Sequence, residues 1–162
     1  MAIYLKLDGI EGPVTTKGFE KQIEILSFSL GSSRMIGTAA RGSINREHSE
    51  PVLSEVTLSK NWDTSSAPLF QDAVAGTMDK KAILAFTTTS KGATEKFLEI
   101  ELTNVGLSSY QLGGSGEGGP PSESISLNFT KVQYTPYAIG VDGKATKGKV
   151  VTYDLTEMKA NA

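Results

Sequence analysis

The stretch QLGGSGEGGPPSESISLNFTKVQYTP, residues 111–136, joins a glycine-rich segment to a run of alternating apolar residues. Its GSGEGG portion, residues 114–119, matches the GxGxxG pattern of dinucleotide-binding proteins. Such glycines hold a pyrophosphate only where they follow a strand and open a helix, because the helix N-terminus supplies the amide donors. Here Pro120 and Pro121 follow the glycines, and no helical pattern comes after them. The segment is therefore predicted to be a flexible hairpin connection rather than a cofactor site.

The residues after the prolines have the period of a β-strand. Ile125, Leu127 and Phe129 alternate with polar residues, as expected for a strand with one buried face. Similar runs predict strands at 3–7, 22–30, 52–60, 82–89, 95–109, 123–134 and 149–155. Many short strands separated by glycine turns predict a mainly β fold, a small antiparallel barrel or sandwich of two sheets.

The strand at 22–30 changes which alternate residues are apolar. Ile23 and Ile25 are followed by Leu26, Phe28 and Leu30, so the apolar side chains switch to the other face. Such a switch predicts a bulge, or a bend onto a second packing surface. Two other predicted strands switch in the same way.

One segment has a helical pattern instead. DTSSAPLFQDAVAG, residues 63–76, begins with a cluster of capping residues, and Pro68 suits the first helical turn. We expect a short α-helix at about 64–76, packed on the outside or end of the barrel, with Gly76 as a left-handed cap. Its predicted apolar face consists of Leu69, Phe70, Ala73 and Val74.

Composition limits the class of protein. A chain of 162 residues is long enough for a single domain with its own core, and it contains no cysteine, which suits folding in a reducing cytoplasm. The start MAIYLKLDG lacks the basic and apolar blocks of a signal peptide, and no apolar run is long enough to span a membrane. A net charge of −2 gives no basic field for nucleic acid. We therefore expect neither membrane insertion nor nucleic-acid binding.

The longest stretch without a clear period is the extended loop at about 31–51. It contains every arginine of the chain and its only histidine: Arg34, Arg41, Arg46 and His48. Long loops in compact domains are commonly functional or disordered. One interpretation is a solvated surface loop, and the other is a docking arm whose guanidinium groups bind carboxylates of a partner.

No motif for catalysis or for metal binding has the context it requires. His48 is the only imidazole available for a hydrolytic triad, and one histidine with scattered acids does not make a zinc site. GKATKGK, residues 143–149, has P-loop spacing, but Val150 stands where Ser or Thr would bind magnesium, and a predicted strand follows. A carboxylate pair of the glycosidase type is neither placed nor excluded. We expect a protein that is not an enzyme, with no catalytic residues, metal or cofactor.

Several segments together resemble the Hcp family, the haemolysin-coregulated tube proteins of bacterial type VI secretion systems. They are IYLKLDGIEG, IEILSFSLG, EVTLSKNWDTSSAPL, LTNVGLSSYQLGGSGEGG and, most specifically, LNFTKVQYTP after the glycine-rich turn. The closing VVTYDL also resembles the family's last strand, with Thr152-Tyr153 where the family often has Gly-Trp, a departure that concerns local packing only.

The resemblance implies a single tube domain over residues 1–162 that forms homohexameric rings stacked into a tube. That tube would lie inside a contractile sheath beneath a spike protein, and its lumen would carry effector proteins. By resemblance, Ser27 and Ser29 face the lumen, while the loop with Arg34, Arg41, Arg46 and His48 contacts the next ring. The protein would be made in the bacterial cytoplasm and secreted by the type VI system without a signal peptide. Two alternatives remain open: a phage-like tail tube protein of another contractile machine, and a monomeric ligand-binding β-barrel.

Overall fold

The computed structural model describes residues 1–37 and 49–161, as thirteen strands and one helix. In chain order they are β1 (Ala2–Leu7), β2 (Ile23–Ile25), β3 (Ser27–Ser29), β4 (Ser32–Ser33), β5 (Val52–Leu53), β6 (Val56–Asn61), α1 (Ser66–Ala75), β7 (Lys80–Ser90), β8 (Ala93–Gly113), β9 (Ser122–Asn128), β10 (Lys131–Ile139), β11 (Ala145–Lys147), β12 (Val151–Asp154) and β13 (Lys159–Asn161). The mainly β prediction with one helix is confirmed.

The strands close into an antiparallel barrel because β8 contributes to both sides and β2 is joined directly to β3. One sheet has the order β13-β12-β10-β8-β7-β1-β2, and β3, β6, β9 and the second half of β8 form the other side. The path returns to its start because β2 leads directly into β3. The barrel therefore closes through β8 and through the β2-β3 bend.

The bend predicted in residues 22–30 is present. Ile23 and Ile25 are buried on β2, which pairs with β1, while β3 pairs with β6. Leu26 lies at the bend, where its N–H donates to Ser59 O at 2.8 Å. Its expected apolar role is wrong, since 56% of Leu26 is exposed. A residue at the corner belongs to neither packed face.

The 21-residue strand β8 also changes face, as its sequence predicts. Ile100 and Leu102 are buried where β8 pairs with β7 and β10, and Val105 and Leu107 are buried where it turns toward β9. Asn104 stands between these pairs with φ of 53°, a left-handed conformation that reverses the alternation. This local turn lets one strand serve two sheets.

Two predicted strand boundaries are wrong in detail. The predicted strand 123–134 is two strands, β9 and β10, separated by Phe129 and Thr130. Thr130 N–H donates to Thr103 O at 3.1 Å, which turns the chain from one side of the barrel to the other. Similarly, the predicted strand 52–60 divides into β5 and β6.

The glycine-rich segment is a hairpin connection, as predicted. Strands β8 and β9 pair antiparallel up to Gly113 opposite Ser122, and residues 114–121 join them without a helix. The P-loop-like segment 143–149 contains strand β11 and is followed by strand β12 rather than by a helix. Neither segment has the helix N-terminus that a phosphate site requires.

The barrel interior is filled by aliphatic side chains. Those with at most 1% exposure include Leu5, Leu58, Leu84, Ile100, Leu102, Ile125 and Leu127. All of them belong to one contiguous core. A small barrel closes around side chains in this way rather than around a ligand.

Helix α1 is present, but two details of its prediction are wrong. Gly76 is extended at φ −79° and ψ 170°, not left-handed, and a Cβ there would overlap Asp72. Of the predicted apolar face, Leu69 is fully buried, whereas Phe70 and Val74 are exposed. Ala73 is partly buried against the core and the Phe70 ring meets the edge of Tyr110, so the helix contacts the barrel over a narrower strip than its sequence predicts. Among the described residues, no helix is long and apolar enough to cross a membrane.

Candidate functional site

The outer surface of strands β3, β6, β9 and the end of β8 is lined by hydroxyl and amide side chains. We call this surface the hydroxyl face. Cross-strand pairs place Ser27 opposite Ser59, Ser59 opposite Ser124, and Ser124 opposite Gln111. Its members on these strands are Ser27, Ser29, Thr57, Ser59, Asn61, Ser109, Gln111, Ser122, Ser124 and Ser126. None of these side chains carries a charge.

The hydroxyl face exists because the inward positions of the same strands are apolar. Phe28 packs against the core opposite the buried Leu58, which pairs in turn with the buried Ile125. Successive residues of a strand point to opposite faces, so the residues between these core positions must face outward. A charged residue, Glu55, lies only at the rim, where it accepts a hydrogen bond from Ser108 Oγ at 2.6 Å.

Ser27 and Ser29 were singled out in the sequence, and both lie on the hydroxyl face. Their side chains are exposed, and the Ser27 and Ser59 hydroxyl oxygens are 2.5 Å apart. The other eight members could not be singled out from the sequence, because they depend on the register of four strands. The contact of Ser27 and Ser29 with cargo stays a prediction.

The other large sheet has an outer surface of different character. Lys81 Nζ lies 2.8 Å from Glu101 Oε1, and Lys96 Nζ lies 2.5 Å from Glu99 Oε2. Interspersed charges of both signs are usual on a surface that faces water. The absence of charged side chains is therefore particular to the hydroxyl face and is not shared by the outer surface of the other sheet.

Next to the hydroxyl face, an exposed two-stranded ribbon leaves the barrel. We call residues 31–37 with 49–53 the arm. Strands β4 and β5 pair within it, and Met35 and Ser49 are joined by backbone and side-chain hydrogen bonds of 3.0 Å. Arg34 lies on the arm and is exposed. Arg41, Arg46 and His48 lie outside the described residues, so the predicted ring contact of all four stays a prediction.

A buried charged network joins the start of the helix to the barrel. Lys60 Nζ donates to Glu123 Oε2 at 2.6 Å and lies 3.1 Å from Asp63 Oδ1. Ser66 Oγ donates to the same Glu123 oxygen at 2.9 Å, and the Tyr110 hydroxyl donates to Glu123 Oε1. The side chains of Lys60 and Glu123 are both fully buried. Burial, and then the hydrogen bond to Glu123, raise the pKa of Tyr110 to about 12.

This network was not predicted from the sequence, although the strand period contains a signal for it. Lys60 has the same inward alternation as Val56 and Leu58, and Glu123 has that of Ile125 and Leu127. Two opposite charges at inward positions of two strands indicate a buried ion pair. The structure brings them directly opposite each other in the register of β6 and β9.

No group of three or more metal-ligating side chains occurs within residues 1–37 and 49–161. The features defined above are extended surfaces, not a pocket of reactive groups. They define a closed β-barrel protein with an uncharged sheet face and a projecting arm.

Comparison with known proteins assigns this β-barrel chain to a family. The family model described as "Type VI secretion system effector, Hcp" matches residues 4–135. The chain therefore belongs to the Hcp family of type VI secretion systems. It is a secreted, tube-type protein of that system, and its family membership supports assembly into rings and tubes.

Solved structures agree with this assignment. A structure described as a type six secretion system protein is 26% identical, with a TM-score of 0.87 and coverage of 99% of both chains. Hcp1 from Salmonella typhimurium is 22% identical, with a TM-score of 0.73 and coverage of 99% of this chain and 98% of that one. A type VI secretion effector from Yersinia pestis is 19% identical, with a TM-score of 0.69 and coverage of 94% and 98%. The comparison with curated protein sequences gave no match.

Proposed function

We propose that this chain is a structural subunit of the type VI inner tube. Residues 1–162 form a single tube domain, six copies close into a ring, and rings stack into a tube that sheath contraction expels beneath the spike protein. The hydroxyl face lines the lumen and holds effector proteins. The protein is made in the bacterial cytoplasm, leaves through the type VI system, and acts without catalysis.

The observation that carries this proposal is the uncharged hydroxyl face. Hydroxyl groups stay hydrated and form short-range hydrogen bonds, whereas apolar patches or charges would adsorb or repel passing proteins strongly. A wall of this kind can hold unlike cargoes and release them. The filled barrel interior counts against the alternative of a monomeric ligand-binding barrel, which needs an apolar pocket.

Ring closure requires one heterologous contact repeated by rotation. The exposed Phe70 and Val74 on α1 are suitable for such a contact, because a neighbouring subunit would cover them. Sedimentation and negative-stain electron microscopy of the purified protein should give six-subunit rings with a central hole. A strictly monomeric species at micromolar concentration in several buffers would overturn the proposal.

The lumen assignment has its own test. Ser29→Gln places a longer side chain on the hydroxyl face, so rings should persist while the amount of co-purified effector falls. Thr89→Gln is the matched control, since Thr89 is also exposed on a strand but belongs to β7. Equal effector recovery from both variants would remove Ser29 from the cargo surface.

The extended loop at about 31–51, which includes the arm, is proposed to join rings, with its arginines binding carboxylates of the next ring. Replacement of Arg34, Arg41 and Arg46 by alanine should lower stacking and secretion while the hexamer survives. Exposed ion pairs contribute only about 0 to 1 kcal/mol each, but the contact is repeated around the ring. Added salt should weaken stacking in the same direction. Unchanged tubes and export in the triple variant would return this segment to a solvated loop.

Secretion also separates the type VI assignment from another contractile machine. Release of the protein should stop in a strain that lacks the type VI sheath. Undiminished release in that strain would favour the phage-like alternative.

A further inference from the structure

A cleft lies at the corner of the barrel where β2 turns into β3. It is lined by Tyr4, Glu24, Leu26 and Trp62, with the loop 13–16 as its opposite wall, and its volume is about 370 Å³. We call it the Trp62 cleft. Leu26 and Trp62 are each 56% exposed, and Trp62 is the only tryptophan of the chain. Two large apolar side chains together in water are suited to contact with another surface.

The walls of the Trp62 cleft are fixed in place. Trp62 N–H donates to Pro121 O at 2.9 Å, which ties the tryptophan backbone to the hairpin connection. On the opposite side, the Tyr4 hydroxyl lies 3.3 Å from Thr16 Oγ1, and the Tyr4 ring stacks on Phe19 at a centroid distance of 4.9 Å. A preformed cleft loses little conformational entropy when it binds.

The carboxylates that line the Trp62 cleft indicate which kind of segment it can bind. Asp63 at its edge already has partners, since its Oδ1 lies 3.1 Å from Lys60 Nζ and accepts hydrogen bonds from the backbone N–H and the hydroxyl of Ser65. Glu24 is exposed and makes no hydrogen bond or ion pair with any residue in 1–37 or 49–161. The cleft therefore presents one free carboxylate beside two apolar side chains. A complementary segment carries one cation beside apolar side chains.

The arm has such a segment. Arg34 is exposed and forms no ion pair with the described part of the chain, and the residues after it, Met35 and Ile36, are 81% and 53% exposed. The hydrogen bonds between Met35 and Ser49 hold this segment in an extended form. One guanidinium and two apolar side chains thus project together from the barrel.

The two features lie at opposite ends of one strand pair. Strand β3 is antiparallel to β6, with the cleft at the Ser27 end and the arm beyond the Ser29 end. Gly31 and Ser54 hydrogen-bond at 2.9 Å where the arm begins. The five residue steps from Leu26 to Gly31 span roughly 16 Å at strand spacing. The base of the arm therefore projects away from the cleft of its own subunit, toward a copy displaced along the strands.

We propose that the Trp62 cleft is the receptor for the segment 34–36 of a second copy of this chain in the adjacent ring. Glu24 binds Arg34 of that copy, while Trp62 and Leu26 cover its Met35 and Ile36. The contact joins two different surfaces, so it repeats without limit along an axis and needs no further component. This inference rests on the proposed stacking of rings and names the surface that receives the arm.

The test uses full-length protein and the fluorescence of the single tryptophan. When rings stack, the Trp62 emission should shift to shorter wavelength and become less accessible to acrylamide. Glu24→Arg and Arg34→Glu should each lower the ring-to-ring association constant at least about tenfold, because the six contacts of a ring are all reversed. The double variant should return to within about threefold of the parent. Glu157→Arg is the control, since Glu157 is exposed and does not line the cleft.

The outcomes separate this inference from the proposed function. Rings that stack normally in both single variants, or with unchanged Trp62 emission, overturn the cleft as receptor and leave the tube function standing. Failure of the double variant to recover also overturns the pairing of Glu24 with Arg34. Loss of effector with stacking intact in Glu24→Arg would assign the cleft to cargo instead. Absence of rings in the parent protein would overturn the tube proposal itself.

Discussion

Replacement of Lys60 by methionine tests what holds the helix to the barrel. Methionine has nearly the length of lysine without its charge, so Lys60→Met removes the ammonium group and keeps most of the packing. That ammonium contacts Glu123 Oε2 at 2.6 Å, Asn61 O at 2.7 Å and Asp63 Oδ1 at 3.1 Å. In the variant, the fully buried Glu123 keeps only the hydroxyls of Ser66 and Tyr110 as partners.

The expected cost follows from the burial of the remaining charge. Removal of one partner of a buried ion pair costs about 3 to 5 kcal/mol, because the other charge stays in the interior without compensation. The exposed pair of Lys21 and Glu11 provides the control, with side chains 72% and 70% exposed at 3.2 Å. Lys21→Met should cost no more than about 1 kcal/mol.

The free energy of unfolding can be measured by urea denaturation, followed by Trp62 fluorescence and circular dichroism. Protein concentration must be held constant, because ring assembly adds stability by mass action. The double variant Lys60→Met with Glu123→Leu should recover most of the loss, since an apolar pair replaces an ion pair at little cost. A Lys60→Met variant no less stable than Lys21→Met would refute the reasoning.

Three further predictions concern single residues. Burial and the hydrogen bond to Glu123 raise the pKa of Tyr110 to about 12, so the folded protein keeps a proton that the unfolded chain releases above about pH 10. The free energy of unfolding should therefore fall as the pH rises from about 10 to about 12. Urea titrations at each pH should show that Tyr110→Phe lacks this pH-dependent decrease. Gly12→Ala should lower the free energy of unfolding by more than about 1 kcal/mol, because the added Cβ would overlap the backbone of Gln22. Gly116→Ala should change it by no more than about 0.5 kcal/mol, because the space around Gly116 is open. Thermal unfolding of the two variants measures the difference. Leu58→Ala should cost about 2 to 5 kcal/mol by chemical denaturation, since Leu58 is fully buried in the core.

The strand period predicted most of the fold because the barrel buries one face of each strand. The switch of apolar residues near Leu26 predicted the β2-β3 bend, and the switch within 95–109 matches the turn at Asn104. The exact ends of the strands were harder to predict from the sequence. The break at Phe129 depends on a hydrogen bond from Thr130 to the distant Thr103, and no local pattern encodes such a contact.

The sequence predicted only part of the hydroxyl face. The resemblance to the Hcp family singled out Ser27 and Ser29 on one strand, but the hydroxyl face requires the register between strands. The exposure of Phe70 and Val74 also depends on how closely α1 approaches the barrel. Helical period gives a face and not the width of its contact, so the apolar face was predicted too wide.

The strand pair β3-β6 separates stability from surface chemistry. Its inward residues Phe28 and Leu58 contact the core, and the outward residues between them form part of the hydroxyl face. Because neighbours on a strand point to opposite faces, outward substitutions leave the core contacts unchanged, whereas a shift of one residue would exchange the two sets. The arm and the Trp62 cleft lie at the two ends of the same pair. Its register therefore sets both the uncharged face and the spacing between arm and cleft, so outward substitutions can change either surface while the barrel stays the same.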